Sequence, residues 1–193
     1  YIEDNTYLNK LIYFMSTVRF NTKDEFDFKN EKEYAEYLKT NKPTTLKGEI
    51  VKSYGELEIA NYLFSNNIEY EYEKEYKYET INKEYQQYYP DFYLPKYDIY
   101  IEYFGIDENN KVAPYFKDKN GLSASDAYNE SIKWKRKMHK DNNTTMIETF
   151  YYENKQGKLI TNLENKLKNI MLNLSEKLKK NYGKLLIKII ADY

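Results

Sequence analysis

The stretch Tyr97–Phe104 constrains the fold of this chain most, because it predicts a β-strand that is apolar on both faces. Ile99 and Ile101 alternate with Tyr100, so neither face of the strand is polar. Such a strand needs cover on both sides, which is typical of the centre of a sheet layered between helices. Glu102 interrupts the apolar pattern, and a buried carboxylate is costly unless a positive group meets it.

The segments around this strand alternate between helical and strand-like patterns. An apolar helical stripe follows Ser53, and Glu56 stands three residues later as its capping-box partner. We therefore predict an α/β core over residues 49–152, with a mixed sheet flanked by helices. Its other predicted parts are a first helix to about Asn66, strands over 68–78, 88–94 and 144–151, a loop over 107–121 and a helix over 125–140.

Helical additions are predicted on both sides of this core. Residues 1–48 form an N-terminal helical extension, with apolar spacing over 7–15 and 34–38 and a stop before Pro43. Residues 153–193 form a C-terminal helical tail whose amphipathic stripe runs from Leu163 to Leu178. That stripe either packs on the core or docks on a partner protein. The chain begins with Tyr1, so we expect it to be part of a longer protein.

Composition excludes several classes of function. The chain has no cysteine and one histidine, which removes disulfides, zinc ribbons, thiol nucleophiles and most histidine metal sites. No apolar run approaches the roughly 20 residues of a membrane span, so we expect no membrane partner and a cytoplasmic location. The formal net charge is −1, so any contact with DNA requires a local basic patch. The 24 tyrosines are interpreted mainly as half-buried strand residues.

Asp91 and Glu102 are the candidate metal ligands. They lie in consecutive predicted strands joined by a tight connection at Pro95, so antiparallel pairing brings their carboxylates to one edge of the sheet. Oxygen ligands of this kind suit Mg²⁺ or Mn²⁺. Glu56 either caps its own helix or points at the same site.

The helix predicted over 125–140 carries the cationic candidates. Lys135 leans towards its apolar side, where it either meets the carboxylates or extends its amine to solvent. A stripe on another face is either solvated or contacts DNA phosphates. This stripe consists of Lys133, Arg136, Lys137 and Lys140. Trp134 is expected in the core, and His139 at its boundary.

Taken in order, several short motifs resemble the nuclease-like insert of superfamily 1 DNA helicases similar to DNA helicase IV. The resemblance is closest over residues 44–152, and its Pro-Asp…Glu segment is also similar to very-short-patch repair endonucleases. The motifs are Thr45–Gly48, Val51–Glu56, Ile59-Ala60, Tyr70–Glu73, Pro90–Pro95, Ile101–Gly105, Trp134–Arg136, His139 and Thr144–Thr149.

The resemblance implies a restriction-endonuclease-like core of the PD-(D/E)XK type. It implies Asp91 and Glu102 as metal ligands, joined by Glu56 from the first helix. The family pattern places a lysine two residues after Glu102, where this chain has Phe104. The resemblance permits that lysine to stand on the following helix, which matches Lys135.

These expectations combine into a metal-dependent DNA nuclease domain. Phosphodiester hydrolysis needs a metal ion held by carboxylates and benefits from a lysine that offsets charge in the transition state. We expect single-stranded or forked DNA as the substrate and helicase motor domains, in the same or a partner chain, as partners. The chain has no Walker motif, so we expect no ATP hydrolysis. The alternative is a catalytically inactive DNA-binding or structural insert, which Phe104 favours.

Overall fold

A computed structural model of the chain describes residues 23–82 and 85–173, so the helix predicted over 7–15 and the end of the tail helix lie outside the described residues. The described part is an α/β structure with a four-stranded sheet in the order β1-β2-β3-β4. This confirms the predicted α/β class and mixed sheet. The elements are a 3-10 turn at Glu25–Asp27, α1 at Glu31–Thr40, α2 at Tyr54–Ser65, β1 at Glu71–Tyr72, β2 at Phe92–Leu94, β3 at Ile99–Phe104, α3 at Ala124–Asp141, β4 at Thr145–Phe150, α4 at Tyr151–Lys155, and α5, which is helical over residues 159–173.

Strand β3 is central and fully buried, as its two-sided apolar pattern predicts. It pairs antiparallel with β2, where Phe92 lies opposite Ile101, and parallel with β4, where Ile101 lies opposite Ile147. Because side chains alternate along a strand, Ile99, Ile101 and Tyr103 share one face. The other face carries Tyr100, Glu102 and Phe104.

Each face of the sheet is covered by its own helices. Helices α2 and α5 cover the isoleucine face, and Leu163 and Leu167 of α5 are buried in that core. The tail helix therefore packs on its own core over its described part. Helix α3 covers the other face through Ile132, which packs in a cluster with Phe104. No helix in the described ranges has the length and apolar character that crossing a bilayer requires.

The helix limits follow from caps that are visible in the sequence. Ser53 accepts a hydrogen bond from the Glu56 N–H at 3.1 Å and so caps α2. Ser123 caps α3 by accepting from the Asp126 N–H at 3.1 Å. Helix α1 ends at Thr40, before the proline that disfavours its continuation.

The prediction of a strand over 68–78 is correct only for Glu71–Tyr72 and wrong for the other residues. The backbone turns at Glu73, where φ is 47°, and the ladder to β2 stops there. The carbonyls of Tyr76 and Tyr78 accept instead from the side-chain amide of Gln87, at 3.0 and 3.1 Å. Alternating polarity predicts a half-buried segment, but a strand also requires a neighbour in register. The strand predicted over 88–94 is shortened to Phe92–Leu94 for the same reason.

Gly55 supplies a stability test, because the ring of Tyr103 lies directly on the start of α2. A Cβ at residue 55 would fall 2.1 to 2.6 Å from three ring carbons of Tyr103. We expect Gly55→Ala to destabilise the fold by about 1–3 kcal/mol, since the ring is buried and must move. Urea unfolding measures the difference. Gly105→Ala is the matched control, because its Cβ meets nothing nearer than 3.7 Å. Equal effects of the two substitutions would contradict the packing argument.

Candidate active site

Asp91 and Glu102 approach each other because of the register of β2 and β3. Asp91 directly precedes β2, one residue before the Phe92–Ile101 pair. Its Oδ2 accepts the backbone N–H of Tyr103, the residue after Glu102, at 2.7 Å. The repulsion between the two carboxylates contributes to a raised pKa of Asp91. The predicted pair of acidic side chains is therefore brought together.

Lys135 meets Glu102 from the helix that covers this face. Its Nζ lies 2.5 Å from Oε2 of Glu102. The Glu102 side chain has no exposed surface, whereas 25% of the Lys135 side chain remains exposed. Although burial lowers the pKa of Lys135, the carboxylates of Glu102 and Asp91 raise it above its ordinary value. Lys135 therefore directs its amine inward and supplies the positive group that a buried Glu102 needs.

The second oxygen of Glu102 is held by a chain of hydrogen bonds. Tyr88 donates to Oε1 of Glu102 at 2.5 Å and lies 3.2 Å from Nε2 of His139. Burial and the Lys135 charge lower the pKa of His139 to about 4, so its ring is neutral. Since the Tyr88 hydroxyl has one proton, Nε2 of His139 donates to it, and Nδ1 accepts from Thr144 at 2.8 Å. His139 is buried and paired on both nitrogens.

Glu56 is held by hydrogen bonds at the start of α2 and lies within the electrostatic reach of Asp91. Its oxygens accept from Ser53 Oγ at 3.0 Å, from the Lys52 N–H at 3.0 Å and from the Tyr72 hydroxyl at 2.6 Å. Burial first, and then the charge of Asp91, raise its pKa to about 7. The capping-box bond from the Ser53 N–H to Glu56 is not formed, and Glu56 is linked to the acidic pair through the electrostatic effect of Asp91.

The chemistry of this donor set fits a hard divalent cation. Burial and the charge of Glu102 raise the pKa of Asp91 to about 7, so the acids repel one another when ionised. Within the described residues, hydrogen bonds reach only one oxygen of Asp91. No group of three acidic or histidine side chains in those residues is arranged to hold an ion by itself. Mg²⁺ commonly uses one or two carboxylates and completes its shell with water or phosphate oxygens, and Asp91 and Glu102 would supply that number.

The basic stripe does not join this site. At 3.6 residues per turn, Lys133, Lys137 and Lys140 lie on the far side of α3 from Lys135, whereas Arg136 lies about 100° round the helix from it. Arg136 binds Glu148 of β4 through two hydrogen bonds, at 2.7 and 2.6 Å. The other members are exposed, and a role in DNA binding stays a prediction. Lys133 pairs with Glu130 at 2.8 Å, Lys137 pairs with Asp141, and Lys140 lies at the surface.

Two open clefts lie beside the carboxylates. One, of about 600 Å³, is lined by Lys135, Trp134 and tyrosines of the segment before β2. The other, of about 390 Å³, reaches Glu56 and Tyr103. Trp134 is half-buried at the edge of the first cleft, so its predicted place in the core is wrong in part. The first cleft reaches the site through Lys135 and the second through Glu56, and the linings of these two clefts do not include Asp91 or Glu102.

Sequence reasoning missed the hydroxyl groups that hold the acids. Tyr72 donates to Glu56, and Tyr88 donates to Glu102. The abundance of tyrosine in the segments around Asp91 is visible in the sequence. It does not distinguish a tyrosine that faces solvent from one that binds a carboxylate, because that depends on where the loop before β2 crosses the sheet.

Comparison of the chain with family models, curated proteins and solved structures finds no match in any of the three. The assignment of this site to a protein class therefore depends on the residues and their geometry.

Removal of the Lys135 charge tests the ion pair. Lys135→Met leaves Glu102 buried without its partner, and we expect a loss of about 3 kcal/mol at pH 7. The loss should shrink as the pH falls towards the raised pKa of the unpaired Glu102, because the protonated acid carries no charge. Urea unfolding at several pH values measures this. Lys133→Met on the same helix is the control, with an expected loss below about 0.5 kcal/mol. A pH-independent loss would show that packing rather than charge is involved.

Burial of the acids and the repulsion between them predict a pH-dependent stability without divalent metal. The pKa values of Glu56 and Asp91, about 7, exceed their ordinary values of 4.5 and 3.8, so the folded chain takes up protons first. Its free energy of unfolding should rise by about 1 kcal/mol from pH 8 to pH 6.5. His139, with its lowered pKa, opposes this rise increasingly at lower pH.

Asp91→Asn isolates the acidic contribution, because His139 is present in both chains. We expect the variant to be more stable than the natural chain at pH 8, by a margin that shrinks at pH 6.5. Unfolding in EDTA measures both. A variant that is less stable at pH 8 would contradict the proposed repulsion.

Proposed function

We propose that this chain is a metal-dependent nuclease domain of the PD-(D/E)XK type, with a restriction-endonuclease-like core, that hydrolyses phosphodiester bonds in DNA. The observation that carries the proposal is the meeting of Lys135 with Glu102 at 2.5 Å, in electrostatic contact with Asp91. Three groups from separate parts of the chain form one site, and Lys135 connects it to the cleft of about 600 Å³. This combination of acids and an amine is what the chemistry requires.

The roles follow from the position of each group. Asp91 and Glu102 would hold Mg²⁺ or Mn²⁺, which when bound polarises a phosphate and lowers the pKa of a coordinated water. Lys135 keeps its proton, since its pKa is raised, and its amine places positive charge beside the acids. There it offsets the negative charge that develops on phosphate as water attacks and the P–O bond breaks. Glu56 supports the site through its charge and its place at the start of α2.

Phe104 is compatible with an active site, because Lys135 reaches the space above it. A side chain at residue 104 lies on the same face of β3 as Glu102. The amine of Lys135 lies 5.4 Å from the centre of the Phe104 ring. An amine is therefore present beside Glu102 although it comes from α3. This supports the relocation of the lysine that the family resemblance permits.

The proposed substrate is single-stranded or forked DNA, and the proposed partners are helicase motor domains. The resemblance to inserts of superfamily 1 helicases over residues 44–152 supports this association. The chain has no Walker motif, so the motor would belong to another part of the protein or to another chain.

The second candidate is a catalytically inactive DNA-binding or structural insert. The engagement of both Glu102 oxygens, by Lys135 and Tyr88, favours it. In that case Lys135 only neutralises a buried acid. The two candidates differ in whether the site turns over DNA, so an activity assay separates them.

Asp91→Asn is the sharpest test of catalysis, because we expect it to leave the fold intact. With Mg²⁺ or Mn²⁺ and labelled forked DNA, the natural chain should cut, and the variant should lose at least about 100-fold in rate. Gel electrophoresis of the products measures this. Glu79→Gln, at an exposed position outside the linings of both clefts, is the control and should retain full activity. Absence of cleavage by the natural chain with either metal, on single-stranded and forked DNA, would favour the inactive candidate.

A further inference from the structure

The cleft of about 600 Å³ beside Lys135 is lined by aromatic side chains, and most of them have no role in the proposed catalysis. Tyr85 and Trp134 stack in its wall with their ring centres 4.3 Å apart and their planes 6° from parallel. Tyr89 also lines the cleft and is 49% exposed. Trp134 packs partly against the buried cluster of Tyr76, Tyr88 and Tyr100, whereas Tyr85 and Tyr89 belong to none of the core clusters of the described residues.

This wall lies next to the proposed reaction site. Tyr88 contacts the Trp134 indole edge to face, with ring centres 5.6 Å apart and planes at 74°, and the same Tyr88 donates to Glu102. Trp134 and Lys135 are consecutive residues of α3. A group that stacks on these rings therefore lies near Lys135, and Tyr88 links the rings to Glu102.

Two lysines of the cleft offer ammonium groups to a ligand that is anionic on one side and flat on the other, and each is paired with a carboxylate, Lys52 with Glu73 and Lys135 with Glu102. Lys52 lines the cleft with 72% of its side chain exposed, and Lys135 lies at the inner end. Glu73 is the acidic group of the cleft lining and is paired with Lys52. The cleft thus offers a π-surface together with cations, which is the combination that binds unpaired bases and their phosphates.

We infer that this cleft binds an unpaired nucleobase of single-stranded DNA, which continues the Tyr85–Trp134 stack while the adjoining phosphates face Lys52 and Lys135. The inference depends on the proposed function for the nature of the substrate, and it adds the feature that is recognised. A base paired within a duplex has both faces covered by its neighbours. Single-stranded DNA, or the unpaired arm of a fork, is therefore preferred over a continuous duplex.

Trp134 is the only tryptophan of the chain, so its fluorescence reports on this cleft directly. In EDTA, which prevents metal-dependent cleavage, titration with a short oligothymidylate should quench Trp134 and give a dissociation constant. An abasic oligonucleotide of the same length and charge should bind about tenfold more weakly, since stacking is lost. A duplex of the same length should also bind more weakly.

Substitutions at Tyr85 separate stacking from other contributions. Tyr85→Leu should weaken oligothymidylate binding about tenfold, measured by anisotropy of a labelled oligonucleotide, whereas Tyr85→Phe should bind within about twofold of the natural chain. Phe64→Leu replaces another exposed aromatic residue, outside the cleft, and should have no effect. Unchanged thermal unfolding of Tyr85→Leu excludes a general loss of structure.

Equal binding of the abasic and base-containing strands, or unchanged binding by Tyr85→Leu, would overturn the inference. Tighter binding of the duplex would also overturn it. These results are independent of the cleavage assay with Mg²⁺ or Mn²⁺. Cleavage without base-dependent binding would overturn only the inference about the stacking cleft. Base-dependent binding without cleavage would overturn only the proposed nuclease activity.

Discussion

The described structure is organised around one buried ion pair, between Lys135 of α3 and Glu102 of the central strand β3. Glu102 has no exposed surface, so its charge is tolerated only because Lys135 and Tyr88 meet its two oxygens. The next residue of α3, Arg136, binds Glu148 on the adjacent strand β4. Two consecutive cations of one helix thus bind acids of two neighbouring strands and set the position of α3 over the sheet.

Replacing this pair by apolar residues of similar size would satisfy the core equally well. A chain that keeps a buried carboxylate, with two further acids within electrostatic reach, accepts the burial and the repulsion that raise the pKa values of Asp91 and Glu56 to about 7. Such perturbed groups are concentrated at functional sites. The cost in stability, the clefts that reach Lys135 and Glu56, and the inward-facing amine together support a chemical role over a purely structural one.

Residue patterns predicted most of the fold correctly, because they record which faces are buried. The two-sided apolar pattern identified β3 as central, and serine caps identified the start of α2. Alternation over 68–78 predicted a strand that exists only at Glu71–Tyr72, since strand pairing depends on a distant partner. Helical spacing gives the direction of a side chain but not the group that it contacts. The sequence therefore could not decide whether Lys135 meets the carboxylates or extends to solvent.

The sequence by itself determined the α/β class, the order of most elements and the identity of the acidic candidates, since these follow from local patterns of polarity and spacing. Only the tertiary structure decided that Lys135 turns inward to Glu102, that Arg136 of the basic stripe binds Glu148, and that tyrosine hydroxyls hold the acids. These contacts join residues far apart in the chain, such as Lys135 and Glu102. Their formation depends on how α3 and the loop before β2 pack on the sheet, which no local pattern specifies.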